Sequence, residues 1–353
     1  MTTTMPSTDA RSVSEPILTV ERLTKHFELS TGPLARMRGH RPVIHAVNDV
    51  SFTLAPGRTL GLVGESGCGK TTTGKTIMRL YDPTSGSIRF KEQDIAKLGG
   101  RELHDFRRHV QMVFQDPQSS LNRRKTVEQI LSVPLTVHGI ASGKERSERI
   151  EAVLEQVNLD PRFKKRYPHE FSGGQRQRIG IARAIISSPS LIIADEPVSA
   201  LDVSTQAQIV NLMQDLQSTL GLAFLFITHD LSVVKHISHV VTVMYLGEIM
   251  ETGPTKVVFS QPAHPYTKAL LSAVPQVDRT GQKRTKQRTI LQGEVPGLVI
   301  PPTGCKFHTR CPAFLGDICR TEVPEPRDIG DGQIVRCHLF NDIGTAVPTT
   351  AGV

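Results

Sequence analysis

The chain has 353 residues, of which 38% are hydrophobic and 22% charged, and its formal net charge is +8. No apolar run reaches the roughly 18 residues that a transmembrane helix needs. The charge suits nucleic acid, an anionic membrane surface or phosphate ligands, or it reflects scattered surface lysine and arginine. No helix-turn-helix or zinc-finger spacing favours nucleic acid. Residues 1–16 are polar and lack the apolar core of a secretory signal, so we expect a disordered cytosolic leader.

The pattern of apolar residues predicts an α/β domain. Five segments have the alternation or the short apolar run of a strand, namely 17–29, 43–57, 59–64, 191–195 and 222–228. Helical patterns follow Lys70 and occupy residues 126–170, whereas residues 30–42 are typical of a loop. Strands that alternate with helices indicate a mainly parallel sheet.

The composition changes after about residue 260. Residues 277–289 are basic and poor in apolar side chains, which is typical of an exposed loop or linker, and residues 295–340 are rich in Pro and Cys. We therefore predict a boundary near residue 260, between a domain at 17–260 and a C-terminal region at 261–353.

Residues 64–72, GESGCGKTT, match the phosphate-loop pattern G-x-x-x-x-G-K-[ST] between a strand and a helix. The glycines let backbone N–H groups point at phosphate oxygens, and the helix adds its positive N-terminal end. Lys70 would hold the β and γ phosphates, and Thr71 would offer its hydroxyl to Mg²⁺. Cys68 lies at a helix start, where the pKa of a thiol can be lowered, and we expect alkylation of this thiol to block nucleotide binding. The predicted nucleotide-binding residues of this loop are Gly64, Glu65, Ser66, Gly67, Cys68, Gly69, Lys70, Thr71 and Thr72.

Polar side chains follow three of the apolar runs. Asp195 ends the run LIIAD and Glu196 follows it, at the strand end where ligands of α/β sheets bind. An acid there can hold Mg²⁺ directly or through water, and the adjacent Glu196 can act as a general base toward an attacking water. His229 ends LFIT and could contact a γ-phosphate, and Gln115 follows the run VF.

A second phosphate cradle lies in FSGGQ, residues 171–175. Ser172, Gly173 and Gly174 stand at a predicted helix start, where N–H groups and a hydroxyl could hold phosphate. Two cradles can serve one nucleotide only if the chain folds them together or if two chains share the site.

In these motifs and in their order, residues 17–260 resemble the ATP-binding subunit of an ABC transporter. The resemblance rests on the phosphate loop, Gln115, FSGGQ, LIIADEP, SALD at 199–202 and His229. It implies a P-loop NTPase fold with a RecA-like mixed-sheet core, an antiparallel β subdomain and a helical subdomain at about 116–175. It also implies bound ATP, with Mg²⁺ held by Thr71, Gln115 and Asp195.

The resemblance further assigns roles to single residues. Glu196 would be the catalytic base, assisted by His229, and Asp202 of SALD would belong to the site. Phe27 would stack on adenine, although the family more often has tyrosine there. Two domains would pair head to tail, so that the second cradle acts on the partner's ATP through Ser172, Gly173, Gly174 and Gln175.

The finer resemblance is to importers of dipeptides, oligopeptides and nickel. It rests on three segments that are similar to sequences of that group, namely GESGCGK, FQDPQSSLNRRKTV and HPYTKALLSAVP. It implies a paralogous second ATPase subunit, two transmembrane permease subunits and an extracytoplasmic peptide-binding protein. The chain would then lie peripherally on the cytoplasmic face of the inner membrane. Peptide is the expected cargo and nickel the alternative. An ABC ATPase acting on nucleic acid is a further alternative, which the single ATPase domain and the lack of a heptad stretch disfavour.

Four of the five cysteines cluster near the C-terminus, with five, seven and seventeen residues between them, at Cys305, Cys311, Cys319 and Cys337. Clustered thiols in a cytosolic chain indicate metal more than disulfides. The spacing is neither that of paired C-x₂-C zinc sites nor that of the common ferredoxin runs. The resemblance implies a [4Fe–4S] cluster here, with structural Zn²⁺ or unligated thiols as alternatives. We expect His308 and His338 to support the thiols and not to bind metal.

Overall fold

The computed structural model describes residues 15–29, 42–116, 120–274 and 291–347. Most of the predicted leader, nearly all of the predicted loop at 30–42 and the whole basic segment at 277–289 lie outside these ranges. Within them, the strands are β1 (Leu18–Glu28), β2 (Val43–Leu54), β3 (Thr59–Val63), β4 (Ser85–Phe90), β5 (Gln93–Asp94), β6 (Val110–Val113), β7 (Leu191–Asp195), β8 (Ala223–Thr228), β9 (Val240–Tyr245), β10 (Glu248–Pro254), β11 (Pro326–Asp328), β12 (Ile334–Arg336) and β13 (Thr345–Ala346).

The helices of the same ranges are α1 (Lys70–Ile77), α2 (Gly100–His109), α3 (Val127–Val137), α4 (Gly143–Gln156), α5 (Gly173–Ile185), α6 (Val203–Leu220), α7 (Leu231–Ile237), α8 (Thr255–Ser260), α9 (Pro265–Ser272) and α10 (Asp317–Thr321). Short 3₁₀ turns lie at Pro161–Lys165, Pro168–Glu170, His308–Arg310 and His338–Phe340. No helix of the described residues is both long and apolar enough to cross a membrane.

A large mixed sheet forms the centre, in the order β13-β11-β12-β10-β9-β3-β8-β7-β6. Its half from β9 to β6 is parallel, and β3 lies between β8 and β9. Every residue of β3, β7 and β8 is buried, because both faces of this half are covered. That burial explains why these strands are continuous apolar runs instead of alternating ones.

Successive residues of β7 pack into different apolar cores. Ile192 and Ala194 join the core formed with α3 to α6, whereas Leu191 and Ile193 join the core beneath a smaller antiparallel sheet. That smaller sheet has the order β2-β1-β4-β5. The predicted α/β fold, with a mixed sheet, an antiparallel β subdomain and a helical subdomain, is confirmed.

Helix α5, which carries the second cradle, and helices α3 and α6 each begin with a hydrogen-bonded cap. The hydroxyl of Thr126 accepts from the N–H of Gln129 at the start of α3, and Ser172 caps α5 in the same way through Gln175. Asp202 caps α6 by accepting from the N–H of Thr205. Each cap satisfies a backbone donor that the helix itself leaves unpaired.

The C-terminal region continues the central sheet. β12 pairs antiparallel with β10, β11 pairs with β12, and β13 pairs with β11. Phe307, Cys305 and Cys319 pack in one apolar core with residues of β9 and β10. The sheet therefore runs across residue 260, and the boundary near that residue stays a prediction.

Candidate active site

The phosphate loop connects β3 to α1, and two of its glycines are required by close backbone approach. At Gly64, with φ 157°, a Cβ would lie 2.1 Å from the carbonyl oxygen of Met244. At Gly69, with φ 108°, a Cβ would lie 2.1 Å from the carbonyl oxygen of Ala46. Any side chain there would displace backbone, so these positions accept only glycine.

Charged and polar side chains of α1 meet the end of β7. The Lys70 ammonium is buried and donates to the carbonyl oxygens of Gly64 and Glu65 at 2.8 and 2.9 Å. The Thr71 hydroxyl donates to Oδ1 of Asp195 at 2.8 Å. Burial raises the pKa of Asp195, and the hydrogen bond from Thr71 opposes that rise. A hydroxyl and a carboxylate therefore lie side by side, and both are oxygen ligands of the kind that Mg²⁺ prefers.

Glu196 is held at two points. Its Oε2 accepts from Nε2 of Gln115 at 3.2 Å, and its Oε1 lies 3.1 Å from Nδ1 of His229. Because an ionised carboxylate only accepts, Nδ1 of His229 carries the proton of this hydrogen bond. The backbone of Glu196 has φ 47°, a conformation that non-glycine residues rarely adopt. Strained backbone of this kind concentrates at functional sites.

All of the residues in these hydrogen bonds except Asp195 line one cavity of about 610 Å³, and Asp195 lies behind Thr71, to which it is hydrogen-bonded. The cavity brings together residues that are far apart in sequence and that were predicted separately. Its lining includes Gly64, Glu65, Ser66, Gly67, Gly69, Lys70, Thr71, Thr72, Gln115, Glu196 and His229. Ala46, Leu231, Leu270 and Leu298 complete it.

Cys68 is the one residue of the predicted phosphate loop that does not line the cavity. Its side chain is 3% exposed and belongs to the apolar core, with its Sγ 3.8 Å from Nζ of Lys70. Burial raises the pKa of this thiol, against the lowering effect of Lys70. The loop turns this side chain away from the cavity, so the prediction that Cys68 lines the site is wrong, and burial outweighs the lowering of its pKa that a helix start allows.

Phe27 lies on β1 and is not among the residues that line the cavity. Its ring packs edge-on against Tyr81, with centroids 5.2 Å apart, and Nζ of Lys25 lies 4.8 Å from the ring centroid. Stacking of Phe27 on adenine stays a prediction.

The residues of the second cradle are likewise absent from the cavity lining. Ser172 and Gln175 bind each other's backbone as a capping box at the start of α5. A Cβ at Gly174 would lie 2.5 Å from Cγ2 of Thr205, so α5 packs closely on the start of α6. Asp202 lies there too, and hydrogen bonds from Ser204 and Thr205 lower the pKa of its carboxyl. Within one chain, FSGGQ and Asp202 thus form a second, separate group.

Sequence reasoning missed four residues of the C-terminal region that reach the site. Leu270 and Leu298 line the cavity. The Tyr266 hydroxyl accepts from the N–H of Glu65, and Arg310 forms an ion pair with the carboxylate of Glu65. Tyr266 and Leu270 lie in HPYTKALL, Arg310 lies in HTRCP, and Leu298 lies in VPGLVI. Nothing local in these segments points to a phosphate loop, and the first two were used only for their similarity to the family.

The four clustered cysteines are free thiols, and all but Cys311 are buried. Burial raises the pKa of Cys305 to about 12, and the other three thiols add to this rise. Burial also raises the pKa of Cys337 to about 11 and that of Cys311. The thiols are thus near enough to influence one another, yet no group of three or more His, Cys, Asp or Glu in the described ranges is arranged to hold a metal ion.

The two histidines beside the cysteines are engaged elsewhere. His308 Nδ1 lies 2.8 Å from the carbonyl oxygen of Cys305. His338 uses both ring nitrogens, Nε2 with the carbonyl of Glu322 and Nδ1 with the side-chain amide of Asn341. His338 therefore has no lone pair left for a metal.

Comparisons with known proteins identify relatives that cover both parts of the chain. The family described as "ABC transporter" matches residues 47–199, and that described as "Oligopeptide/dipeptide transporter, C-terminal region" matches residues 250–319. The "Oligopeptide transport ATP-binding protein AppF" of Bacillus subtilis (strain 168) is 51% identical over 93% of this chain and 98% of its own length. A solved structure, "Dimeric structure of a post-hydrolysis state of the ATP-binding cassette MJ0796 bound to ADP and Pi", is 29% identical with a TM-score of 0.59. The matched region covers 67% of this chain and 98% of the chain in that structure.

Proposed function

This chain belongs to the ATP-binding subunits of oligopeptide and dipeptide ABC transporters, and we propose that the cavity beside Glu196 binds and hydrolyses ATP to power peptide import. The observation that carries the proposal is the carboxylate of Glu196, held between Gln115 and His229 on the cavity wall. Two hydrogen bonds fix its orientation toward the space beside the phosphate loop. A carboxylate so placed can accept a proton from water that attacks the γ-phosphate.

The other groups bind and orient the nucleotide. Backbone N–H groups of the loop from Gly64 to Gly69 and the start of α1 face phosphate oxygens. Lys70 would exchange its loop carbonyls for phosphate oxygens, and Thr71, Asp195 and Gln115 would hold Mg²⁺. When bound, Mg²⁺ neutralises charge that develops on the phosphates.

The separation of FSGGQ from the cavity supports a site shared by two chains. Ser172 and Gly174 lie at the start of α5, so their N–H groups and hydroxyl are at a helix start suited to phosphate. We propose that these residues and Asp202 act on the ATP of a second ATPase subunit, in a head-to-tail pair. The solved relative named above is dimeric by its title.

The test of the hydrolytic site is Glu196→Gln, which keeps a hydrogen-bonding side chain and removes the base. We expect single-turnover hydrolysis of labelled ATP to fall at least about a hundredfold, the scale of general-base catalysis, while ATP binding is retained. Glu148→Gln, an exposed carboxylate on α4, is the matched control and should hydrolyse normally. Normal hydrolysis by Glu196→Gln would refute the role of the base.

Peptide is the proposed cargo because the match over residues 250–319 and the relative AppF are both named for peptides. The chain would act with two permease subunits and an extracytoplasmic binding protein, on the cytoplasmic face of the membrane. Uptake of a radiolabelled oligopeptide and of ⁶³Ni²⁺ by cells with and without the chain separates the two cargoes. Loss of nickel uptake alone would overturn the peptide assignment.

We also propose that Cys305, Cys311, Cys319 and Cys337 hold a [4Fe–4S] cluster, although within the described residues these thiols do not form a group arranged to hold a metal ion. Cys305 and Cys319 belong to one apolar core, and Cys311 packs against it. Burial raises the pKa of Cys305, Cys311 and Cys337, so these thiols need a cation to become thiolates, and clusters of this type are held by four thiolates. The cluster ranks ahead of Zn²⁺ because structural zinc sites typically show closely paired cysteines, which this spacing lacks. Iron, sulfide and zinc are measured on anaerobically purified chain, with Cys311→Ser as the variant and Cys68→Ser as the control. Zinc, or no metal, would refute the cluster.

A further inference from the structure

The C-terminal region reaches the phosphate loop through an ion pair that the proposed chemistry does not use. Nη1 of Arg310 donates to Oε2 of Glu65 at 2.7 Å, and Nη2 donates to Oε1 at 3.2 Å. This bidentate pairing is the strong form of a guanidinium–carboxylate contact. The Arg310 side chain is 8% exposed and that of Glu65 is 26% exposed, so the pair is largely shielded from water.

Aromatic rings fix where the guanidinium lies. Tyr245, Tyr266 and Phe307 are fully buried and pack together with centroid distances from 4.8 to 5.3 Å. The guanidinium of Arg310 lies 5.9 Å from the centroid of the Tyr245 ring, and its Nη1 is 3.4 Å from the Tyr245 hydroxyl. The charge of Arg310 is therefore preorganised beside the loop and does not depend on a flexible surface side chain.

Glu65 lies in the phosphate loop and contacts Lys70, which we propose binds the anionic phosphates. Its carbonyl oxygen accepts from Lys70 and its N–H donates to Tyr266, and the residue lines the cavity. A carboxylate in a phosphate loop repels a triphosphate unless a cation offsets it. Arg310 supplies that cation without occupying the loop's own N–H groups.

We propose that Arg310 is a positioning residue of the nucleotide site, which neutralises and orients Glu65 so that the loop accepts a polyphosphate. This inference rests on the proposed binding of ATP. Without Arg310, an unpaired carboxylate faces the phosphates. One unit charge about 10 Å from another, at an effective dielectric constant of about 20, changes affinity on the order of tenfold.

The test is a double-mutant cycle on the full chain, with the ATP dissociation constant measured by equilibrium dialysis. Arg310→Met is expected to weaken ATP binding about tenfold. The double variant Glu65→Gln, Arg310→Met is expected to bind ATP within about twofold of wild type, because the net charge of the pair is zero in both chains. Loss of fold alone would not be rescued by Glu65→Gln. Arg310→Lys keeps the charge but not the bidentate contact, so its affinity should fall between those of wild type and Arg310→Met.

Arg336→Met is the matched control. Arg336, on β12, is 9% exposed and pairs with Asp49 of β2 at 2.9 Å, so the substitution removes an equally buried guanidinium that links the same region to the core. We expect it to leave ATP affinity unchanged. Equal weakening by Arg336→Met, or no rescue by Glu65→Gln, would overturn the proposal. A wild-type chain that does not bind ATP would instead refute the proposed function.

Discussion

Replacing Tyr266 with Phe tests whether the C-terminal region stabilises the phosphate loop through its backbone. The substitution removes one oxygen, the acceptor of the Glu65 N–H at 3.0 Å. The ring keeps its place, because its contacts with Tyr245 and Phe307 are ring against ring. The Glu65 N–H then has to find another acceptor or remain unpaired.

The magnitude follows from the burial of the two partners. A neutral hydrogen bond contributes about 1 kcal/mol net, and a buried donor left unpaired costs about 1–3 kcal/mol. Tyr266 is fully buried, but Glu65 borders the cavity, where water can reach its N–H. We therefore expect a loss of about 1 kcal/mol in the free energy of unfolding, at the lower end of that range.

The assay is urea denaturation of the full chain, with and without saturating ATP. Both conditions should show the loss, and ATP should bind more weakly to Tyr266→Phe, because the loop that presents its N–H groups is less restrained. Unfolding free energies equal within about 0.3 kcal/mol, together with unchanged ATP affinity, would refute the reasoning, since additive errors of that size are ordinary.

Three further outcomes are expected. Gly69→Ala should destabilise the chain by about 1–3 kcal/mol in urea denaturation and prevent ATP binding, because φ is 108° and the new Cβ would meet the carbonyl of Ala46. Asp202→Asn should lower the free energy of unfolding at pH 7. The difference from wild type should shrink as the pH falls below 3.8, because hydrogen bonds hold the pKa of Asp202 below that ordinary value in the folded chain. A difference that grows toward acid pH would contradict this. Iodoacetamide should alkylate Cys68 far more slowly in the native chain than in the unfolded one, as mass spectrometry of the peptide would measure; equal rates would show that this thiol is accessible.

The parts of the site that could be predicted from sequence are those in which local pattern and chemistry coincide. LIIAD is both a strand buried on two faces and a carrier of Asp195, and GESGCGKTT contains both the turn and the ligands. Because parallel strands end at the same side of a sheet, the strand pattern together with the phosphate loop was enough to predict Asp195, Glu196 and His229 as site residues.

The parts that sequence could not predict depend on long-range packing. Glu65 and Arg310 are separated by 245 positions, and neither segment signals the other. The inward turn of Cys68 depends on the core around Met244, not on the loop pattern. The pairing of β12 with β10 joins short segments with weak strand patterns. The change in composition near residue 260 suggested a boundary there, so a sheet that continues across that residue was not predicted.

The pairing of β12 with β10 has a consequence for any shortened version of the chain. β12 covers the outer side of β10, with Val335 opposite Glu251 and Ile334 opposite Thr252. A fragment that ends near residue 260 would bare a row of N–H and C=O groups along β10, and such an edge is a template for strands of other copies. It would also leave the buried Glu251 without the amide of Gln333. The ATPase part expressed alone is therefore expected to aggregate. In the full chain, β12 prevents this by pairing with the edge of β10, and β11 and β13 continue the sheet beyond it.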